Sequence, residues 1–169
     1  MENLTYLQPE SGNEDHRVLL EALTIPYNRE LDAHVEDALS VHEIRAITGK
    51  MLSTAGHSET GLELCYLNGE LVGFWYGKVD TNVAGIPQKR RKAAILEFYI
   101  RPCYRRRGLG SAMYRRAVEV LERWGANRLE LTADPVTGAA FWRAMGFKPN
   151  GKKDECYGFP ILEKNLAHE

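Results

Sequence analysis

The stretch AAILEFYIRPCYRRRGLGSAMYRRAVEVLERWGANRLELTA, residues 93 to 133, constrains this chain more than any other. An apolar run stops at Pro102, three arginines lead into Gly-Leu-Gly, and an amphipathic segment follows. In it Leu109, Ala112, Met113, Ala117, Val120, Leu121 and Trp124 share one helical face, with Arg115, Glu119, Glu122 and Arg123 largely opposite. Gly125 ends that segment and NRLELTA reads as a second strand. A helix patterned in this way needs a sheet to cover, and the two strands on either side of it supply one.

The rest of the chain fits a mixed sheet. LTYLQ reads as a short first strand, and residues 1 to 60 otherwise read as helices broken by Pro26 and by the loop TAGHSETG. Ser40 and Glu43 form an S-x-x-E capping box, followed by Val41, Ile44, Ile47 and Met51 at helical spacing. LELCYLNGELVGFWYGKV holds two apolar runs around Asn68-Gly69, the pattern of a hairpin closed by a type I′ turn. The loop DTNVAGIPQKRRK leads into the strand at residue 93, PVTGAAFWRAM predicts a helix from Pro135 to Gly146, and FKPNGKKDECYGFPILEK predicts one or two closing strands. Hairpins first and a strand-helix-strand unit later predict an α/β (α+β) fold with helices on both faces of a mixed sheet of about six or seven strands. With 169 residues, one domain over 1–169 is expected.

Composition excludes several classes. Cys65, Cys103 and Cys156 are far apart and the five histidines are scattered, so neither a disulfide framework nor a metal site is expected. A net charge of −1 argues against non-specific nucleic-acid binding. No apolar run is long enough to span a membrane and the acidic start is unlike a targeting peptide, so a soluble cytoplasmic protein is expected. Charge is uneven, however: residues 1–60 carry a net −7 and the remainder +6. The basic runs at 88–92 and from 101 onward are separated by a strand of about nine residues, roughly 30 Å, too far to make one patch. Lys89 to Lys92 therefore read as a solvated loop.

Two glycines at the start of a helix let its unsatisfied amides approach a ligand closely, and the helix dipole favours an anion there. Arg105, Arg106 and Arg107 add forked donors suited to phosphate oxygens. The residues alone thus predict an anionic, pyrophosphate-bearing ligand. A P-loop is excluded because Gly110 is followed by Ser111 without a lysine, and the dinucleotide fingerprint lacks its third glycine.

Arg105, Gly108 and Gly110 meet the pattern R-x-x-G-x-G. With the strand before it, the helix and strand after it, and then AAFWRAMGF, the chain closely resembles the GNAT superfamily of N-acetyltransferases from about residue 62 to 162. The resemblance implies acetyl-CoA as co-substrate and no metal. It implies strands that splay apart around Ile100 and Leu131, with pantetheine against Phe98, Tyr99 and Ile100, a strand bulge at Tyr99 and Ile100, and Trp142 on the same wall. The pyrophosphate would lie on the amides of Arg105, Arg106, Arg107, Gly108, Leu109 and Gly110, with Ser111. Residues 1–60 would form the acceptor side.

The implied reaction is direct attack of a neutral primary amine, of a small molecule or peptide, on the thioester through a tetrahedral intermediate. Glu97, which shares a strand face with Tyr99, is the candidate base; its plain alternative is a solvent-facing or ion-paired glutamate. Many family members carry a tyrosine near the sulfur four residues before the glycine of the GF motif. Here that residue is Trp142, whose N–H is not a usable acid, and Pro135 replaces an asparagine often seen earlier. Water, Tyr157 or unaided departure of the thiolate fills that role; the plain alternative for Tyr157 is a packing aromatic. Cys103 lacks a neighbouring histidine and reads as incidental. Phe74, Trp75 and Tyr76 read as core and cleft wall, and Trp124 and Phe141 as core.

Glu30, Asp32, Glu36 and Asp37 fall close together and would attract a cationic amine. The alternatives are a transferase for another acyl-CoA and a non-catalytic acyl-CoA-binding or regulatory module, the latter suggested by Trp142. Family members often dimerise, and nothing in the sequence locates an interface.

Overall fold

Asn68 and Gly69 both adopt positive φ, 52° and 86°, and close the expected hairpin between β2 (Thr60–Leu67) and β3 (Glu70–Val79). The computed structural model describes residues 3–80 and 91–166. Within them β1 (Leu4–Leu7), β4 (Arg91–Ile100), β5 (Ala126–Thr132), β6 (Lys148–Lys153) and β7 (Pro160–Asn165) complete a seven-stranded sheet ordered β1-β2-β3-β4-β5-β7-β6. Only β4 and β5 run parallel, joined by the helix the sequence placed between them.

Helices cover both faces. On one, α1 (Glu14–Asp32) and α2 (Val41–Ser53) bury Leu20, Leu23, Met51 and Leu52 against Leu62, Leu64, Phe74 and Tyr99. On the other, α3 (Leu109–Arg123) and α4 (Ala139–Ala144) bury Met113, Ala117, Leu121 and Trp142 against Trp75, Ile95, Leu129 and Leu162. The Ser40–Glu43 capping box starts α2 as expected. A buried carboxylate crosses the second interface: Glu63 on β2 accepts from Arg116 Nη2 at 2.6 Å and from the Trp75 indole at 3.0 Å.

Several expectations are corrected. Pro26 does not break the first helix; α1 runs through it. Leu20, Leu23 and Tyr27 line one face across the proline, and their burial outweighs a missing backbone hydrogen bond. Asn28 Nδ2 donates to the Thr24 carbonyl at 2.8 Å, supporting the backbone beside the interruption. Ile47 is 40% exposed because the buried stripe of α2 is Ile44, Thr48, Met51 and Leu52, with Thr48 meeting Thr24 hydroxyl to hydroxyl at 2.7 Å. Trp124, expected in the core, is 39% exposed: the buried stripe of α3 runs 109, 113, 117, 121, and Trp124 lies past it at the helix end. The helix expected from Pro135 begins only at Ala139, because the Asp134 carbonyl and side chain first collect the amides of a turn. Arg91 and Lys92 belong to β4 and are ion-paired, Arg91 to Glu59 and Lys92 to Glu130, rather than solvated; Lys89 lies outside the described residues.

Candidate functional site

Parallel pairing of β4 with β5 stops early. Arg91 to Ala94 face Ala126 to Glu130, after which β5 pairs only with β7, and the β4 edge from Ile95 to Ile100 faces no strand among the described residues. The expected divergence near Ile100 and Leu131 is therefore present. The bulge, however, is not at Tyr99 and Ile100: Tyr76 pairs with Glu97 and Gly77 with Ile95, so the extra residue is Leu96. It inverts the side-chain alternation, leaving Ala93, Ile95, Phe98 and Ile100 toward α3 while Glu97 and Tyr99 face α1. Phe98 stacks on Phe141 at 5.6 Å and meets Trp142 edge-on at 4.9 Å, which forms one wall of the wedge.

Directly beyond β4, a single 3-10 turn at Pro102–Tyr104 leads into the arginine loop. Arg106 has φ 63° and Gly108 φ 81°, so two left-handed residues alternate with ordinary ones, the backbone pattern from which anion-accepting concavities can be built. Among the described residues the amides of Gly108, Leu109, Gly110 and Ser111 have no backbone acceptor. They are the open N-terminus of a 15-residue helix whose first residue, Leu109, is buried. A Cβ on Gly110 would sit 3.1 Å from the Phe141 ring, so this glycine also lets α4 approach α3.

The three arginines part company. Arg106 is exposed, and Arg107 lies over the Tyr104 ring at 5.9 Å. Arg105 turns back: its Nε donates to the Ile100 carbonyl at 2.7 Å and its Nη2 to both Glu30 oxygens at 2.9 and 2.8 Å.

Glu97 lies on β4 three residues past Ala94, the last residue paired with β5, and its carboxyl meets Tyr27 of α1. Burial raises its carboxyl pKa to about 6, while the Tyr27 hydroxyl, a hydrogen-bond donor to it, pulls the other way. The Tyr27 hydroxyl is itself held well above the ordinary phenol range, by burial first and then by the charges of Glu97, Asp134 and Glu30. Its ring packs at 5.4 Å from Tyr99 and 5.8 Å from Phe74. Tyr27 and Asp134 escaped the sequence reading. Tyr27 had a legible signal, its i+7 spacing from Leu20, which Pro26 masked.

The remaining candidates are scattered. Trp142 is 6% exposed among Phe98, Tyr114, Phe141 and Phe147. Tyr157 is 64% exposed in the turn before β7, and its ring contact among the described residues is with Phe159, stacked at 5.5 Å, not with any residue beside Glu97. That turn precedes Ile161, which pairs with Thr132, so it lies at the end of the sheet where β4 and β5 diverge. Cys103 is exposed. Of the acidic group, Glu30 is taken by Arg105, Asp32 accepts from the Leu39 amide at 3.1 Å, and Glu36 and Asp37 stay exposed.

No group of three or more His, Cys, Asp or Glu able to hold a metal occurs among the described residues. No helix among them is long and apolar enough to cross a membrane. A hollow of about 340 Å³ beside Glu63, Arg116 and Trp124 includes no residue of β4, β5 or the arginine loop, and its acid is already neutralised by Arg116.

The model of the acetyltransferase (GNAT) family matches residues 20–147. An uncharacterized N-acetyltransferase of Methanocaldococcus jannaschii is 33% identical over 110 residues, 64% of this chain but 46% of that protein, so the chain spans about half the length of this curated relative. The fold is similar to that of the PaiA N-acetyltransferase from Thermoplasma acidophilum, solved in complex with coenzyme A, with TM-score 0.75 and 17% identity over 96% of this chain and 99% of that one. It is also similar to an acetyltransferase from Thermus thermophilus, TM-score 0.68 and 19% identity over 98% and 97% of the two chains.

Proposed function

The chain belongs to the GNAT family of acetyltransferases, and on that premise we propose that it transfers the acetyl group of acetyl-CoA to a primary amine of a small molecule or peptide. The observation that carries the proposal is the open N-terminus of α3. Amides from Gly108 to Ser111 stand without backbone acceptors beside the left-handed Arg106 and Gly108, a fit for a pyrophosphate. The unpaired β4 edge that leads into it suits an extended pantetheine. The coenzyme A bound by the T. acidophilum neighbour supports the same reading.

Each residue then has a task. Backbone amides from Arg106 to Gly110, with the Ser111 hydroxyl, hold the pyrophosphate; the Arg105 amide expected among them already donates to the Pro102 carbonyl at 3.2 Å. Phe98, Tyr99, Ile100 and Trp142 wall the pantetheine channel. Glu97 takes the proton of the attacking amine, directly or through a water. A carboxyl with a pKa of about 6 is ionised at neutral pH yet far more basic than an exposed glutamate. The leaving thiol, with a reference pKa of about 8.5, needs little help, and water serves as its proton source in place of Tyr157. Glu97 and Asp134, both close enough to Tyr27 to raise its pKa, favour a cationic acceptor, with Glu36 and Asp37 adding long-range attraction.

The test is calorimetric titration of the folded protein with acetyl-CoA, beside propionyl-CoA and ATP, for wild type and Gly108→Trp, followed by an amine screen that detects free thiol. Binding that Gly108→Trp abolishes, with thiol release on adding an amine, supports a transferase. Binding without thiol release for any amine favours a non-catalytic acyl-CoA module, the reading that Trp142 at the usual tyrosine position keeps open. Absence of acetyl-CoA binding by the folded wild type overturns both.

A further inference from the structure

Arg105 opens the pyrophosphate loop in sequence yet sends its guanidinium to the opposite side. Three elements meet on that one side chain. Its Nε donates to the carbonyl of Ile100, the last residue of β4 (2.7 Å), and its Nη2 donates to both carboxylate oxygens of Glu30 in the last turn of α1 (2.9 and 2.8 Å). The guanidinium lies over the Tyr99 ring at 5.5 Å, and the Tyr99 hydroxyl in turn donates to Glu30 at 3.5 Å. With its charge matched by Glu30, Arg105 adds little to phosphate attraction.

We propose that Arg105 is a positioning residue that clasps the cofactor loop to the acceptor-side helix α1, so that cofactor binding and the order of α1 are coupled. The inference rests on the reading that the α3 N-terminus receives coenzyme A. Glu30 lies one turn beyond Tyr27 on α1, and Tyr27 bears directly on Glu97. A loop drawn onto a pyrophosphate therefore pulls, through Arg105 and Glu30, on the turn of helix that carries the tyrosine facing the base. By linkage, an acceptor that orders α1 tightens the cofactor site by the same factor. The ion-paired side chains are 39% and 30% exposed, so the pair is weak enough to open and close rather than serving as a permanent strut.

Hydrogen exchange of the α1 amides from Tyr27 to Asp32 tests this, with coenzyme A alone as the probe and calorimetry run in parallel. Saturating coenzyme A slows those amides about threefold in the wild type, the scale of a half-exposed ion pair, and leaves them unchanged in Arg105→Gln and in Glu30→Gln. Both variants still bind coenzyme A. Arg105→Lys keeps the charge but not the fork and does not restore the effect. A normal isotherm with no slowing in the wild type, or with equal slowing in the variants, overturns the coupling alone. A flat isotherm for the folded wild type overturns the coupling together with the cofactor reading.

Discussion

The Tyr27 hydroxyl on α1 bears on the Glu97 carboxylate on β4, an acid raised to about pH 6 by burial and restrained by this one donor. A hydrogen bond to the ionised form lowers a carboxyl pKa, so Tyr27→Phe removes the restraint and moves the Glu97 pKa above about 6. The acid limb of the kcat/KM profile for any accepted amine shifts to higher pH. A limb that stays in place, or moves down, refutes the assignment of Glu97 as base under Tyr27.

Glu97 also carries a stability cost with a definite sign. Its folded pKa of about 6 exceeds the reference value of 4.5, so between those pH values the folded state binds more protons than the unfolded chain. Stability therefore falls as pH rises from about 4.5 to 6, by about 2 kcal/mol once ionisation is complete. Glu97→Gln should raise the melting temperature at pH 7, with the gain shrinking toward pH 4.5, while amine acetylation falls at least tenfold. Parallel melting curves at the two pH values decide it.

The same residue shows what a sequence conveys and what it withholds. The hairpin at Asn68-Gly69, the Ser40 cap, the amphipathic α3 and the loop glycines were all legible, because each depends on local chemistry. The side of the sheet that Glu97 faces was legible from its alternation with Tyr99. Its partner Tyr27, and Asp134 whose charge bears on Tyr27, were not, since they arrive from α1 and from the turn after β5. The bulge at Leu96 has no local marker, because an extra residue is defined only against the partner strand. Arg105 reads as a phosphate ligand until the distant Glu30, 75 residues away, is seen to claim it.

Glu63 is 7% exposed and its carboxylate is satisfied by Arg116 and by the Trp75 indole. Arg116→Met leaves a buried carboxylate without its cation and should cost about 3 kcal/mol in denaturant unfolding. The double variant Arg116→Met/Glu63→Gln should recover most of that loss. Equal stabilities for the single and double variants would show that the cost lies in packing instead.

Tyr157 is 64% exposed and stacked on Phe159, so nothing buried holds its hydroxyl against a departing thiolate. Tyr157→Phe should change kcat by less than about twofold. A tenfold drop with KM unchanged would return the acid role to Tyr157.

The two loop glycines are required for different reasons, and substitution separates them. Gly108 has φ 81° with nothing within 4 Å of a built Cβ, so Gly108→Ala meets no neighbour and pays only the left-handed backbone, about 1 kcal/mol. What it disturbs is the direction of the loop amides, and coenzyme A affinity should fall about tenfold. Gly110 is helical, and its Cβ would meet Phe141 at 3.1 Å. A ring edge can yield a few tenths of an ångström, and alanine adds helix propensity of about 1 kcal/mol. Gly110→Ala should therefore stay within about 0.5 kcal/mol of wild type, whereas Gly110→Val drives further methyls into the ring and loses about 2 kcal/mol. Calorimetry and denaturant unfolding of the three variants give the pattern: lost affinity at 108, lost stability at 110 only with valine. If Gly108→Ala bound coenzyme A as tightly as the wild type, the pyrophosphate could not depend on the amides that this left-handed residue orients.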